Sequence, residues 1–288
     1  MIVLHTIRDL RETLEGVRAR GGVVGLVPTM GYLHEGHLSL MRRSVEECDF
    51  TVATIFVNPL QFAPGEDYDR YPRDPEGDSD KARSAGVDVL FMPPVEEMYP
   101  RPVKTTVHVD VAVGFMESAA RPTHFDGVAT VVAKLFAIVG PCRAYFGEKD
   151  FQQLVIVRRM AHDLSFPVEV VGCPIVREPD GLAASSRNVY LNVEQRSAAT
   201  VLYRALCEGV EAIRRGERDA EQVRRVMAEV VSREPSAELD YAEVVDPETL
   251  ERCDRLEGEV RLLIAVRLGD TRLLDNLGVV VPEGTATG

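Results

Sequence analysis

The 288-residue chain has no apolar run approaching the roughly 18 residues that a membrane-spanning helix needs, so no spanning segment is expected. Its first eight residues, Met1 to Arg8, lack the basic start and long apolar core of a secretion signal. Basic residues are the minority, 33 Lys and Arg against 46 Asp and Glu, for a formal net charge of -13. That argues against a nucleic-acid coat or an anionic membrane surface as partner, since both reward excess positive charge. Nucleotide binding stays open, because it needs only a few local positive groups. The five cysteines, Cys48, Cys142, Cys173, Cys207 and Cys253, include no Cys-x-x-Cys pair. Neither a zinc site nor a disulfide framework is indicated, and small buried hydrophobes in a reducing cytoplasm are expected. Neither Gly-x-x-x-x-Gly-Lys-Ser/Thr nor Gly-x-Gly-x-x-Gly occurs, so the usual NTPase and dinucleotide readings have no support. No Cys–His or Ser–His–Asp order stands out for nucleophilic catalysis.

What is present is alternation. Strand-like runs rich in Val, Ile and Phe recur at Val23–Val27, Phe50–Val57, Val87–Met92, Ala144–Phe146 and Val168–Val176. Helical patterns lie between them at His37–Glu47, Asp74–Ala85, Asp126–Val139 and Phe151–Leu164, with Asp126 and Asp150 at N-cap positions. This predicts an α/β fold: a Rossmann-like parallel sheet with helices on both faces, over residues 1–176. From about residue 177 the pattern changes. Two amphipathic helices, Glu194–Arg215 and Asp219–Arg233, precede strand-like Tyr241–Val245, Arg261–Val266, Leu273-Leu274 and Val279–Val281. Residues 177–288 are expected to form a smaller C-terminal α+β domain, ending in a frayed tail at Glu283–Gly288. The least regular stretch, Pro93–Phe125, reads as a long loop over a site.

Four clusters carry chemistry. The first is Pro28-Thr29-Met30-Gly31-Tyr32-Leu33-His34-Glu35-Gly36-His37, a glycine turn with two imidazoles between a strand and a helix start. Gly31 and Gly36 let the backbone approach a ligand, and the helix start offers N–H groups to phosphate. His34 and His37, three apart, share a side if the helix begins near Gly36, and imidazoles there can donate hydrogen bonds or, protonated, carry charge. One capping and one solvent-facing histidine is the plainer alternative. Glu35 lies between the pair rather than one turn away, so no zinc triad forms.

The second cluster, Gly147-Glu148-Lys149-Asp150-Phe151-Gln152-Gln153, also follows a short strand. Lys149 suits a phosphate, Asp150 a cap or a ribose hydroxyl, and Gln153 a small polar ligand; an ordinary surface turn reads the same way. The third, Ala184-Ser185-Ser186-Arg187-Asn188, is either a second phosphate clamp or a Ser-rich linker. The fourth, Asn58-Pro59-Leu60-Gln61, follows the strongest strand run; Asn58 and Gln61 suit hydroxyls and carboxylates, although turn chemistry alone accounts for Asn58. Three of the four sit at predicted strand C-terminal ends, where open α/β sheets place ligands. His5, His108, His124 and His162 have no partner pattern.

The Leu33-His34-Glu35-Gly36-His37 motif resembles the His-x-Gly-His nucleotidyltransferases. With Phe56–Phe62, Phe146–Gln153 and Asp180–Asn188 in order over nearly the whole chain, the resemblance narrows to the pantothenate synthetase family. That resemblance implies ATP-dependent condensation of pantoate with β-alanine, through a pantoyl-adenylate, to pantothenate, AMP and pyrophosphate. It implies ATP as substrate with Mg2+, no metal ligand assigned in the chain, and a cytoplasmic homodimer. Transferred by position, Met30, Gly31, Tyr32, Leu33, His34, Glu35, Gly36 and His37 line the ATP site. Gly147, Glu148, Lys149, Asp150, Val176, Ala184, Ser185, Ser186 and Arg187 complete it. Gln61 holds pantoate and borders the β-alanine path, Gln153 holds pantoate, and Asn58 is a further substrate-binding candidate; His37, His34 and Lys149 are the catalytic candidates. The rivals are a nucleotidyltransferase of the same fold with another acceptor, and a non-catalytic nucleotide-binding module. A phosphate-bearing acceptor calls for basic residues where Gln61 and Gln153 stand.

Overall fold

A computed structural model describes residues 1–111 and 114–282. The chain divides into two compact units: Met1–Glu148 with Gln152–Ile175, and Lys149–Phe151 with the described residues from Val176 onward.

The first unit holds six strands: β1 (Ile2–Leu4), β2 (Val24–Thr29), β3 (Phe50–Ile55), β4 (Val89–Phe91), β5 (Cys142–Gly147) and β6 (Val168–Cys173). They form one sheet in the order β1-β4-β3-β2-β5-β6, every pair parallel. Parallel strands need covering on both faces, and the four inner strands are accordingly buried along most of their length, while edge strands β1 and β6 are partly exposed. Val27, Ala53 and Leu90 pack with Leu40 and Met41 of helix α2 (Glu35–Glu47) and Ala82 of helix α3 (Pro75–Ser84). Their neighbours Leu26, Val52 and Val89 are as fully buried. Helix α1 (Ile7–Arg18) presents Leu10, Leu14 and Val17 at helical spacing, with Thr6 capping its start. Short helices α4 (Val95–Met98) and α5 (Glu117–Ala120) precede α6 (His124–Val139), and α7 (Phe151–Asp163) joins β5 to β6.

Strand order reverses between β2 and β5, and the reversal opens there for a reason visible in the residues. β2 pairs with β3 along its whole length, but with β5 only at Gly25 and Leu26. Pro28 has no N–H to give, so the ladder on the β5 side ends short of it. Meanwhile β5 continues against β6 as far as Gly147. The loops that leave β2 and β5 thus start at the topological switch point, where such sheets bind ligands.

The second unit packs α8 (Val193–Ala198), α9 (Val201–Arg214) and α10 (Ala220–Ser232) with an antiparallel sheet β7-β8-β9 (Glu238–Val245, Glu259–Leu268, Thr271–Val280). Leu202, Leu206, Val210 and Ile213 of α9 meet Leu262, Ile264 and Val266 of β8 in its core.

The α/β expectation holds, with local corrections. Asp126 does not cap α6: Thr123 occupies that position, and Asp126 instead pairs with His108 at 2.8 Å. The single helix expected at Glu194–Arg215 is two, because i→i+3 bonds replace the helical ones at Thr200 and Leu202 and the Thr200 hydroxyl turns back to the Ser197 carbonyl. The expected strands around Leu273 and Val279 are one strand, β9, crossing polar Asp275 and Asn276. The expected strand Val168–Val176 ends at Cys173. The N-terminal β1 and α1 had no counterpart in the pattern reading. The tail Glu283–Gly288, and residues 112 and 113 within the irregular stretch, lie outside the described residues. The cysteines are free, with Cys142 and Cys173 buried; burial pushes the Cys142 thiol up to about 12.

Candidate active site

The histidine turn is assembled from its first hydroxyl onward. At the end of β2 the Thr29 hydroxyl donates to the Thr54 carbonyl at 2.6 Å and accepts from Gly31 N–H at 3.1 Å. The chain then turns through two left-handed residues, Gly31 at φ 85° and Tyr32 at φ 50°. A Cβ on Gly31 would meet Ile55 Cγ2 at 2.9 Å and Asp78 Oδ2 at 3.0 Å, so only glycine fits. Tyr32 is strained there, and the strain is met by Asp78 of α3. Its carboxylate accepts the Tyr32 N–H at 2.7 Å and the Leu33 N–H at 2.6 Å. Asp78 is 1% exposed, and burial holds its carboxyl above the usual range even against those two donors.

The chain so held delivers His34 as the N-cap of α2 and His37 one turn in. His34 Nδ1 accepts from Gly36 N–H at 3.1 Å, and His37 Nδ1 accepts from His34 N–H at 3.3 Å. This is a reciprocal capping box built from two imidazoles, with ring centroids 4.0 Å apart. α2 begins at Glu35, and neither histidine is the solvent-facing one of the plainer reading. Because each Nδ1 accepts, the neutral rings carry their proton on Nε2, and both become Nε2–H donors of fixed orientation.

The Asn58–Gln61 cluster adjoins this turn. Asn58 is 1% exposed and has spent its whole amide: Nδ2 donates to Gln61 Oε1 and the Gly127 carbonyl, and Oδ1 accepts from Leu60 N–H and the Tyr99 hydroxyl. Asn58 therefore orients Gln61 rather than facing outward. With Gln61 Oε1 committed to Asn58, Gln61 Nε2 donates to Met30 Sδ at 3.0 Å. Gly127 allows α6 onto this turn, since a Cβ there would lie 2.3 Å from the Leu60 carbonyl oxygen. The Gln61 carbonyl is gripped by Arg121 and by His124 Nδ1, and Arg121 is itself held by Glu66 at 2.6 Å, which keeps the Glu66 carboxyl below its usual range. Gln153 lies half-buried in the first turn of α7, and among the described residues no hydrogen bond joins it to Gln61. Gly147 closes β5 in the same unit and Glu148 begins the 3₁₀ turn after it; a Cβ on Gly147 would meet no protein atom within 4 Å, so the fold itself does not demand glycine there.

The second unit, taken by itself, holds the remaining sequence candidates. Val176 and Ala184, far apart in the pattern reading, are joined by Ala184 N–H to the Val176 carbonyl at 2.9 Å, across a hairpin that turns at Gly181. Ser185 then caps a short 3₁₀ turn, Ser186–Tyr190, with its hydroxyl accepting from Arg187 N–H; Ser186 is buried. Asn188 Nδ2 ties this turn to Glu178 and to the Ala183 carbonyl. Lys149 and Asp150 belong to this unit as well, their side chains 3.6 Å apart. Asp78, Tyr99 and Arg121 escaped sequence reasoning. Asp78 sits in an ordinary exposed-looking helix pattern, and only its distance-spanning bonds reveal it.

A family model for pantoate-beta-alanine ligase matches residues 2–278. The chain belongs to the pantoate–β-alanine ligase family. It is 52% identical to the pantothenate synthetase of Caldicellulosiruptor bescii, covering 97% of this chain and 99% of that one. It is 54% identical to that of Chloroflexus aurantiacus, over 96% and 97%. The crystal structure of pantothenate synthetase from Thermus thermophilus superposes with a TM-score of 0.91 at 52% identity, covering 96% and 99%. The pantoate-beta-alanine ligase of Francisella tularensis, crystallised with β-γ ATP and β-alanine, gives 0.78 at 31% identity over 96% and 97%. Among the described residues no helix is long and apolar enough to cross a membrane, and no cluster of three or more His, Cys, Asp or Glu is poised to hold a metal.

Proposed function

We propose that the chain is an ATP-dependent pantoate–β-alanine ligase whose nucleotide turn is Met30–His37 and whose acid-selecting group is Gln61. One observation carries the site assignment: Gln61 Nε2 reaches Met30 Sδ, so the neutral amide suited to a hydroxy-acid adjoins the turn suited to a triphosphate. Family membership supplies the reaction class.

In the first step the pantoate carboxylate oxygen attacks the α-phosphorus of ATP, and pyrophosphate leaves. Two anions must approach, so the work is charge neutralisation and positioning. His34 and His37 supply Nε2–H donors held by their mutual cap, and Lys149 and Arg187 supply positive charge. Glu35, Gly36, Gly147, Glu148, Asp150, Val176, Ala184, Ser185 and Ser186 line the nucleotide. Well-oriented reactants recover about 7–11 kcal/mol of the barrier. In the second step the β-alanine amine attacks the adenylate carbonyl, forming the amide and releasing AMP. Gln61 and Gln153 hold the pantoyl group through both steps. No covalent enzyme nucleophile enters. Mg2+ would arrive with ATP as part of the substrate, ligated largely by phosphate oxygens and water. Residues 177–288 and the irregular stretch 93–125 are the parts we assign to closure over the water-sensitive adenylate. We also assign the enzyme to the cytoplasm as a homodimer, which size-exclusion chromatography with light scattering tests.

The decisive assay is pyrophosphate release from ATP, with and without pantoate, followed by addition of β-alanine. Release that requires pantoate and amide formation that requires β-alanine are expected. Release indifferent to both compounds would overturn the acceptor assignment.

A further inference from the structure

Lys149 is numbered with β5, but the second unit holds it. The grip is a buried amide on β9. Asn276 is 1% exposed, and a buried carboxamide is costly unless all its groups are met. Its Oδ1 accepts from Arg261 Nε at 2.7 Å, and its Nδ2 donates to the Lys149 carbonyl at 2.8 Å. Its backbone is tied too: the N–H to Asp275 Oδ1 at 2.8 Å, and the carbonyl to Arg177 at 3.2 Å. Arg261 can only donate, so it forces the oxygen of the amide toward itself and the NH2 toward Lys149. The same guanidinium lies over the Phe151 ring, 4.1 Å from its centroid. The segment Lys149–Phe151 is thus held at its first carbonyl and its last ring by one pair of side chains.

We propose that Asn276, oriented by Arg261, is a positioning residue for Lys149: it fixes the peptide plane from which the lysine reaches its phosphate. A lysine stem has four rotatable carbons, so the placement of its main chain decides where the ammonium can be delivered. The consequence is that the main chain of Lys149 is fixed by a side chain of β9. The inference rests on the phosphate role proposed for Lys149.

The test is a double-mutant cycle on pantoate-dependent pyrophosphate release under single-turnover conditions. Asn276→Asp is nearly isosteric: it keeps the acceptor for Arg261 and removes the donor to Lys149. It is expected to slow adenylation about 10-fold, the scale of one lost hydrogen bond, while leaving KM for pantoate unchanged. In a Lys149→Ala background the same substitution should cost nothing further. Phe151→Leu, which removes the ring under Arg261 and leaves Asn276 intact, should show a smaller loss with the same non-additivity, and it serves should Asn276→Asp fail to fold. Losses that multiply unchanged in the Lys149→Ala background would overturn the inference alone. A Lys149→Ala enzyme turning over at the wild-type rate would overturn the Lys149 assignment and the inference with it.

Discussion

The two units use buried polar groups in opposite ways. In the parallel-sheet unit they sit at or beyond strand ends and hold loops: Thr29 on Thr54, Asp78 on the Tyr32–Leu33 turn, Asn58 on Gln61. In the C-terminal unit they sit inside a strand. Asp275 of β9 takes both guanidinium nitrogens of Arg177, at 2.6 and 3.0 Å, and Asn276 follows it directly. Glu243 of β7 is likewise buried and gathers Arg224 and Arg252. Loop-end groups shape a site and leave the sheet apolar. Mid-strand groups place charge inside the core, where each depends on its partner for survival. Loss of a loop-end group is therefore expected to disturb a turn, and loss of a mid-strand group to disturb a sheet.

That contrast can be broken by substitution. The largest effect on stability is expected from Asp275→Ala, which removes the buried carboxylate of a mostly buried ion pair and leaves Arg177 with its carbonyl partners Gly181 and Asn276: up to about 3–5 kcal/mol, read by urea unfolding. A loss below about 1 kcal/mol would show that the mid-strand pair is not a folding element. Next come His37→Ala and Lys149→Ala, each expected to lower turnover by about 10²-fold or more, near 2.7–4 kcal/mol, with the cooperative unfolding transition retained. Near-wild-type turnover in both would sink the site assignment.

Asp78→Ala tests the loop-end side of the comparison. It leaves two buried N–H groups unmet, for about 1–3 kcal/mol of stability, and it should raise KM for ATP more than KM for pantoate. Its ionisation gives a signed pH test. The folded-state pKa of Asp78 lies above its unfolded value, so the folded state binds the proton more tightly. Its contribution to stability is full below the unfolded pKa and is lost as pH rises through the folded one. The stability difference between wild type and Asp78→Asn should therefore shift against wild type across that acidic window, and a flat difference would refute it. The smallest effect belongs to the exposed pair of Arg42 with Glu35: Glu35→Ala should change stability by less than about 1 kcal/mol, and salt should erase most of that.

How much was legible in the sequence follows the same division. Where burial on both faces makes a strand a continuous apolar run, as in Val24–Thr29 or Phe50–Ile55, the pattern reading found it. β9 was read as two fragments because Asp275 and Asn276 interrupt its hydrophobicity, and their partners Arg177 and Arg261 are distant in sequence. β1 has three residues, two of them exposed, and offers too short a pattern to detect. Asp126 stood one helical turn from the true start of α6 because an acidic residue in a first turn resembles a cap. Among the candidate site residues, three of the four motifs were readable because the loops that leave strands carry local glycine and polar signals, and the fourth because Ser-Ser-Arg-Asn is a polar run in a loop. Asp78, which holds the first of those motifs in its strained turn, is 46 residues from Tyr32 and gives no local signal at all.

The sequence by itself determined the parallel α/β alternation, the loops at its strand ends, and the polar and glycine motifs those loops carry. These follow from local periodicity and from motifs a few residues long. Only the tertiary structure decided that the two histidines cap one another through Nδ1, that Asn58 is spent on orienting Gln61, and that Lys149 is held by Asn276. Each is a hydrogen bond whose direction is fixed by what else the partner must satisfy. Such obligations are set by burial, which no short window of sequence contains.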